Sequence, residues 1–195
     1  CTLLRNPHIA RNEELQLSVY PEGDELRQHY LGHLTDVVMV SADSLAAERL
    51  GGADYDGDLI KTIADPILNR CVKRNYDYDV HQQISNNANL PLLKIPALSA
   101  AKSDANDWRA RFQTVENTFA ARIGQICNAA LDRSVIAYNE HADPEERKRC
   151  RRDLEALAIY SGLEIDAAKT GVRPNLDEFL DGRKVKRTPF LQYKY

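Results

Sequence analysis

Two kinds of hydrophobic periodicity divide the chain. Apolar and polar residues alternate over residues 14–20, which predicts a half-buried strand. Residues 37–40 are continuously apolar and predict a buried strand, and residues 59–63 predict a third strand. Short helices are predicted over three further segments, which are residues 25–31, 45–50 and 66–74.

Beyond residue 103 the apolar residues recur every three to four positions, which is the spacing of an amphipathic helix. We expect one continuous helix over residues 104–138, about 50 Å long, with its apolar stripe facing a core. The stripe consists of Trp108, Phe112, Val115, Phe119, Ile123, Ile126, Ala130 and Leu131. Asp143 and Pro144 are typical of a helix N-terminus, so a second helix is predicted from there to Gly162. Its inward residues would be Cys150, Leu154 and Leu157.

These elements predict an α+β chain with three regions. Residues 1–75 hold the strands and the short helices. Residues 76–103 form an irregular connector that contains several Asn and Pro residues, and residues 104–195 form a helical region that ends in a tail.

Composition is typical of a soluble globular protein, with 43% hydrophobic and 28% charged residues among 195. The net charge of −3 argues against a wholly basic nucleic-acid coat protein but leaves room for a local basic track. No apolar run is long enough to span a bilayer, so no membrane partner is expected. The 4 cysteines are far apart in sequence, which does not favour a zinc site and fits a reduced, intracellular setting.

The candidate chemistry lies in an acidic segment, Gly-Gly-Ala-Asp-Tyr-Asp-Gly-Asp, at residues 51–58. Asp54, Asp56 and Asp58 stand at alternate positions, so in an extended chain their side chains project to the same side. Three carboxylates held this close repel one another unless a cation lies between them. A hard divalent ion, above all Mg²⁺, suits such oxygen ligands. Gly57 would allow the backbone to curl around the ion.

Two other interpretations of this segment compete with a magnesium site. An EF-hand calcium loop fails, because its glycine position, counted from Asp54, holds Leu59 and its final position holds Asp65. A solvated acidic turn without a ligand is the second alternative. The apolar residues 37–40 before the segment and 59–60 after it favour a functional cluster over a solvated turn.

Asp-Tyr-Asp-Gly-Asp at residues 54–58 resembles the metal-binding signature of the two-barrel RNA polymerases, whose active centre lies between two double-psi β-barrels. That group includes the multisubunit enzymes, the phage single-chain enzymes and the RNA-dependent RNA polymerases of RNA silencing. Residues 4–8, Leu-Arg-Asn-Pro-His, resemble the Arg-x-Pro segment that precedes the aspartates. Residues 123–128 and 164–171 resemble the Leu-Gly-x-Ile-x-Asn and Asp-x-x-Lys-x-Gly segments of the silencing enzymes. The multisubunit enzymes carry Asn where this chain has Gly52, which weakens the link to them.

The resemblance implies that residues 1–75 form part of a double-psi β-barrel and that the protein makes RNA from nucleoside triphosphates by two-metal catalysis with Mg²⁺. The catalytic metal ligands would be Asp54, Asp56 and Asp58. Arg5 and Lys169 would contact the substrate, and Gly124 and Asn128 on the long helix would lie near the template and the RNA product. The remainder of the polymerase, including an upstream barrel, would be a partner, and this chain alone would be inactive.

The second helix of the helical region carries five basic residues in six, at positions 147–152. Both a solvated face and a track for phosphate groups are compatible with this run, and Arg149 and Arg152 would share one helix face in such a track. Structural alternatives stay open for Arg5, as a salt bridge, and for Lys169, paired with a neighbouring carboxylate. The alternative function is a non-catalytic nucleic-acid-binding module that keeps the polymerase fold, and a metal-dependent nuclease is a third.

Overall fold

The computed structural model describes residues 1–19, 24–76, 92–96, 99, 104–119, 121–181 and 185–193. The chain divides into two compact units, Cys1–Asn6 with Asn12–Leu92 and Pro7–Arg11 with Leu93–Tyr195. Most of the predicted connector, residues 76–103, lies outside the described residues. Within the part that is described, no helix is both long enough and apolar enough to cross a membrane.

The first unit contains a three-stranded antiparallel sheet with the order β2-β1-β3. Its strands are β1 (Thr2–Arg5), β2 (Leu15–Gln16) and β3 (Ile60–Ile63). The register places Arg5, the last residue of β1, opposite Ile60, the first residue of β3. A small apolar core lies on the sheet and consists of Leu3, Leu15, Ala46 and Leu50. The sheet thus joins the first residues of the chain to the strand that follows the acidic segment.

Three helices accompany this sheet, namely α1 (Glu25–Leu31), α2 (Ala46–Arg49) and α3 (Pro66–Tyr76). The side chains of Asp24 and Asp65 accept hydrogen bonds from backbone N–H groups in the first turns of α1 and α3. After α2 the chain turns at Gly51, where φ is 53° and a Cβ atom would collide with the carboxylate of Glu13. The predicted helices are confirmed, the second one in shortened form.

The strand predictions for this unit are confirmed only in part. Residues 59–63 supply β3, and residues 14–20 contain β2. The buried strand predicted at residues 37–40 is wrong, because the first three of these residues are exposed and only Val40 packs against the core. The central strand of the sheet is β1, whose 4 residues are too few to show a hydrophobic periodicity. Pairing with distant segments, more than local hydrophobicity, decides which run becomes a strand.

The second unit contains α4 (Trp108–Phe119), α5 (Ile123–Ala137), α6 (Pro144–Thr170), α7 (Asp177–Leu180) and α8 (Pro189–Gln192). Helices α5 and α6 pack against each other and supply most of the core. The buried core residues are Ile126, Ala129, Ala130, Ala137, Cys150, Leu154, Leu157 and Leu176. The inward orientation predicted for the three core residues of α6 is therefore confirmed.

Helix α6 begins as predicted but ends later. The side chain of Asp143 accepts hydrogen bonds from two backbone N–H groups of the first turn, and Pro144 is the first helical residue. The end predicted at Gly162 is wrong, because α6 continues to a left-handed cap at Gly171, with φ of 71°. Gly162 lies against the side chain of Ile95, where a Cβ atom would collide. The glycine therefore permits close packing and does not end the helix.

The single helix predicted over residues 104–138 is also wrong, since α4 ends at Phe119 and α5 begins at Ile123. The backbone N–H of Arg122 donates to the carboxylate of Glu164 on α6, at 2.9 Å. This long-range hydrogen bond accompanies the break. The apolar stripe faces the core only in α5, and its large residues in α4 are exposed, namely Trp108, Phe112, Val115 and Phe119.

The predicted α+β class is confirmed by these two units. Helices predominate, and strands are confined, among the described residues, to the small antiparallel sheet. The described residues show an open sheet and not a closed barrel, so the double-psi β-barrel remains a proposal.

Candidate metal centre

The acidic segment forms a loop between α2 and β3, and we refer to residues 51–58 as the aspartate loop. The alternation of carboxylates in the sequence suggested an extended chain, but the backbone of this loop is not extended. Tyr55 has a φ of 63° and Gly57 a φ of 115°, both in the left-handed region. These two residues turn the backbone, and the glycine does so without steric cost.

The side chain of Asp58 organises this turn from within. Its Oδ2 atom accepts hydrogen bonds from the backbone N–H groups of Asp54, at 3.0 Å, and Tyr55, at 3.1 Å. Its Oδ1 atom accepts the Nε–H of Arg5 in a salt bridge. Arg5 also donates through Nη1 to the carbonyl of Gly51, at 2.8 Å. The salt bridge considered for Arg5 is thus present, whereas a contact with substrate stays a prediction.

The three carboxylates of the loop are close enough to share one ion. Asp54, Asp56 and Asp58 each offer an oxygen atom, and these oxygens lie within 4.8 Å of one another. In octahedral coordination two oxygen ligands of one Mg²⁺ lie about 3.0 Å apart when adjacent and about 4.2 Å apart when opposite, since each bond is about 2.1 Å long. Oxygens as far apart as 4.8 Å would therefore have to approach one another by up to about 1.8 Å to bind one ion. A set of carboxylate oxygens suits a hard divalent cation, so the residues fit the Mg²⁺ that was expected.

The surroundings of Asp58 differ from those of the other two aspartates. Its side chain is 8% exposed, whereas Asp54 and Asp56 are exposed residues. Burial by itself raises the pKa of the Asp58 carboxyl. The hydrogen bonds from Arg5 and from the two backbone N–H groups, with the positive charge of Arg5, outweigh this effect and hold the pKa below its ordinary value. Asp58 is therefore ionised at neutral pH, as a metal ligand must be.

An apolar cavity of about 580 Å³ adjoins the aspartate loop within the first unit. Its lining includes Val37, Val38 and Leu59, which come from the apolar segments on either side of the loop in sequence. Tyr55 and Asp58 supply part of the polar lining. The apolar residues that flank the loop in sequence thus also lie beside it in space.

The remaining candidates for nucleic-acid binding belong to the second unit and are described within it. Gly124 and Asn128 are exposed and lie about one turn apart on α5. No atom lies within 4 Å of the position that a Cβ of Gly124 would take. Arg149 and Arg152 are both exposed on α6, and Arg149 lies 3.5 Å from Glu146. Each of these residues is therefore accessible from solvent.

Lys169 lies in the last turn of α6, and its side chain is 68% exposed. Its ammonium group is 4.0 Å from the carboxylate of Asp166, one turn earlier. This is the pairing considered as the structural alternative for Lys169. An exposed pair of this kind contributes little to stability, so it leaves the lysine able to contact a substrate.

Sequence patterns missed a buried ionic cluster centred on Glu164, whose side chain is fully buried. The carboxylate accepts hydrogen bonds from the backbone and the guanidinium of Arg122 and, at 2.9 Å, from Arg173. Glu164 follows Leu157 and Ser161 at the three-to-four spacing of the core face of α6. A charge at a core position needs a partner, and that signal could have identified the cluster.

The fold and the loop define an α+β protein with a candidate site for a divalent cation, formed by three neighbouring carboxylates. The chain matches the family model described as RNA dependent RNA polymerase over residues 17–194. It therefore belongs to the RNA-dependent RNA polymerase family, and this confirms the resemblance drawn from the motifs. Neither the curated proteins nor the solved structures that were searched gave a match.

Proposed function

We propose that this chain carries the catalytic metal loop of an RNA polymerase that copies RNA. Membership of the family supports nucleotidyl transfer as the activity and RNA as the template. The observation that carries the assignment to this loop is the triad of Asp54, Asp56 and Asp58, whose oxygens lie within 4.8 Å of one another. The first unit would then be part of a double-psi β-barrel.

The aspartates hold Mg²⁺ in this proposal, and Asp58 also keeps the loop closed. The chemistry supplied by bound Mg²⁺ is activation of the RNA 3′-hydroxyl as nucleophile, with a second ion that accompanies the nucleoside triphosphate and neutralises the leaving pyrophosphate. Asp54 and Asp56 are exposed and so can be reached by a substrate. No side-chain nucleophile is needed, because the hydroxyl group of the RNA attacks the α-phosphorus directly.

The helical unit would bind the nucleic acid and assist the substrate. Gly124 and Asn128 form an exposed small and polar surface on α5, which suits close approach of a template or product strand. Arg149 and Arg152 would contact phosphate groups without regard to sequence. Lys169 would contact a phosphate of the substrate.

Primer extension on matched single-stranded RNA and DNA templates tests the proposal, with the larger polymerase that contains this chain. We expect Mg²⁺-dependent incorporation on RNA, loss of activity after chelation, and recovery on adding Mg²⁺. By resemblance to the two-barrel enzymes, the reaction also needs groups from an upstream barrel, so the 195-residue chain alone should not polymerise. RNA binding without incorporation by the larger protein would instead support a non-catalytic binding module.

A further inference from the structure

Arg5 connects the two ends of the aspartate loop. It is the last residue of β1, and the register opposite Ile60 places it beside the junction of the loop and β3. Its guanidinium donates to Asp58, the last residue of the loop, and to the carbonyl of Gly51, the first residue. The side chain is only 18% exposed, so these contacts lie mostly away from water.

The loop has two reasons to open if nothing holds it. Its three carboxylates repel one another, and Tyr55 occupies a left-handed conformation, with φ of 63°, that is costly for a residue other than glycine. The backbone N–H groups of Asp54 and Tyr55 hold one oxygen of Asp58. Arg5 holds the other oxygen and thereby fixes the orientation of the carboxylate.

We propose that Arg5 is a positioning residue that closes the aspartate loop and so brings its carboxylates into range of one metal ion. This inference rests on the proposed function, because it assumes that the loop binds a divalent cation. It assigns to Arg5 a role within the protein, in the absence of any nucleotide. The role differs from the substrate contact that the motif resemblance implies.

Three roles for Arg5 predict different effects on metal affinity when no nucleotide is present. If Arg5 closes the loop, its removal separates the ligands and weakens metal binding. If only its charge matters, removal of a cation near the site strengthens metal binding. If Arg5 acts only on substrate, its removal leaves metal binding unchanged. The direction of the change therefore distinguishes the three roles.

The experiment measures Mn²⁺ binding to the 195-residue chain by electron paramagnetic resonance, with Mg²⁺ as competitor. The variants are Arg5→Ala and Arg5→Lys, with Arg70→Ala as the control, since Arg70 is an exposed arginine of the same unit. Circular dichroism and thermal unfolding show whether each variant is folded. The lysine variant keeps the positive charge, but its single ammonium group cannot reproduce the fork that contacts two acceptors.

We expect Arg5→Ala to weaken Mn²⁺ binding about tenfold, the size typical for loss of a group that orients a metal ligand. Arg5→Lys should stay weaker than the wild type, and Arg70→Ala should match it. Equal or tighter binding by a folded Arg5→Ala chain would overturn the positioning role, as would wild-type affinity in Arg5→Lys. If Arg5→Ala does not fold, the lysine variant decides. Failure of the wild-type chain to bind Mn²⁺ would instead contradict the proposed metal site itself.

Discussion

Asp54, Asp56 and Asp58 occupy one loop but differ in their surroundings. Asp58 accepts hydrogen bonds from Arg5 and from the loop backbone, so its substitution would damage the loop as well as the metal site. Asp56 is exposed and lies between the other two in sequence. A substitution at Asp56 is therefore the cleaner test of metal binding.

We predict that Asp56→Ala abolishes RNA synthesis by the complete polymerase and leaves the fold intact. Loss of one ligand lowers metal affinity, while loss of one negative charge relieves repulsion within the loop. The free energy of unfolding should change by no more than about 0.5 kcal/mol, as is usual for an exposed residue. Polymerisation and thermal unfolding are measured side by side, with Asp43→Ala as an exposed control in the same unit. Near-normal polymerisation by Asp56→Ala would show that the metal assignment is wrong.

The candidate site could be predicted from sequence because its ligands lie within five consecutive residues. Spacing alone brings Asp54, Asp56 and Asp58 together, whether the chain is extended or, as found, curled. The contact between Arg5 and Asp58 could not be predicted in the same way. These residues are 53 positions apart, and only the pairing of β1 with β3 makes them neighbours.

Among the helices, local patterns located most of the starts and the ends of the short helices, but neither the end of α6 nor the break between α4 and α5. The N-terminal cap of α6 was predicted correctly, because it depends only on adjacent residues, Asp143 and Pro144. The break between α4 and α5 is accompanied by the hydrogen bond from Arg122 to Glu164, 42 residues further along the chain, and no local pattern contains this contact. The apolar stripe that begins at Trp108 could not be interpreted fully from the sequence either. Its spacing predicts that the residues share one helix face, but not whether another element packs against that face, and in α4 the large apolar residues are exposed.

We predict that Glu164→Gln destabilises the second unit by roughly 2–4 kcal/mol at neutral pH, because two arginines lose their buried anion. Burial alone raises the pKa of Glu164, but hydrogen bonds and charge from Arg122, with the charge of Arg173, hold it below its ordinary value near 4.5. The stabilisation by the ionised carboxylate is thus fully present above that ordinary value. It is lost as the pH falls through the lower pKa of the folded state.

Urea unfolding at a series of pH values measures this effect for the wild type, for Glu164→Gln and for Glu140→Gln. Glu140 is an exposed residue of the same unit and serves as the control. The difference between the wild type and Glu164→Gln should be large at pH 7 and shrink below about pH 4.5. A difference that does not vary with pH would show that the ionised state of Glu164 is not what stabilises the unit.

Considered as a whole, the molecule is slightly acidic, with a net charge of −3, yet its proposed partners are polyanions. Binding of nucleic acid must then depend on local charge. Of the five basic residues at positions 147–152, Lys148, Arg149 and Arg152 are exposed. They line a shallow pocket with a volume of about 610 Å³, together with the acidic residues Asp143, Glu145 and Glu146. Because both signs of charge occur there, the number of phosphate contacts has to be measured.

We predict that Arg149→Ala with Arg152→Ala weakens RNA binding about equally for unrelated sequences. Each lost phosphate contact should flatten the plot of log affinity against log salt by about 0.7 for single strands, so two contacts should flatten it by about 1.4. The ion pair of Arg149 with Glu146 is exposed at both ends, so its loss should cost little stability. The control is Arg70→Ala with Lys73→Ala, which removes two exposed positive charges from one face of α3 in the other unit. Salt titrations of the wild type and both double variants distinguish the two interpretations. If Arg149 and Arg152 contact phosphate groups, the plot of log affinity against log salt becomes flatter only for the variant that lacks these two arginines. Equal slopes and affinities for both double variants would leave positions 149 and 152 as an ordinary solvated face.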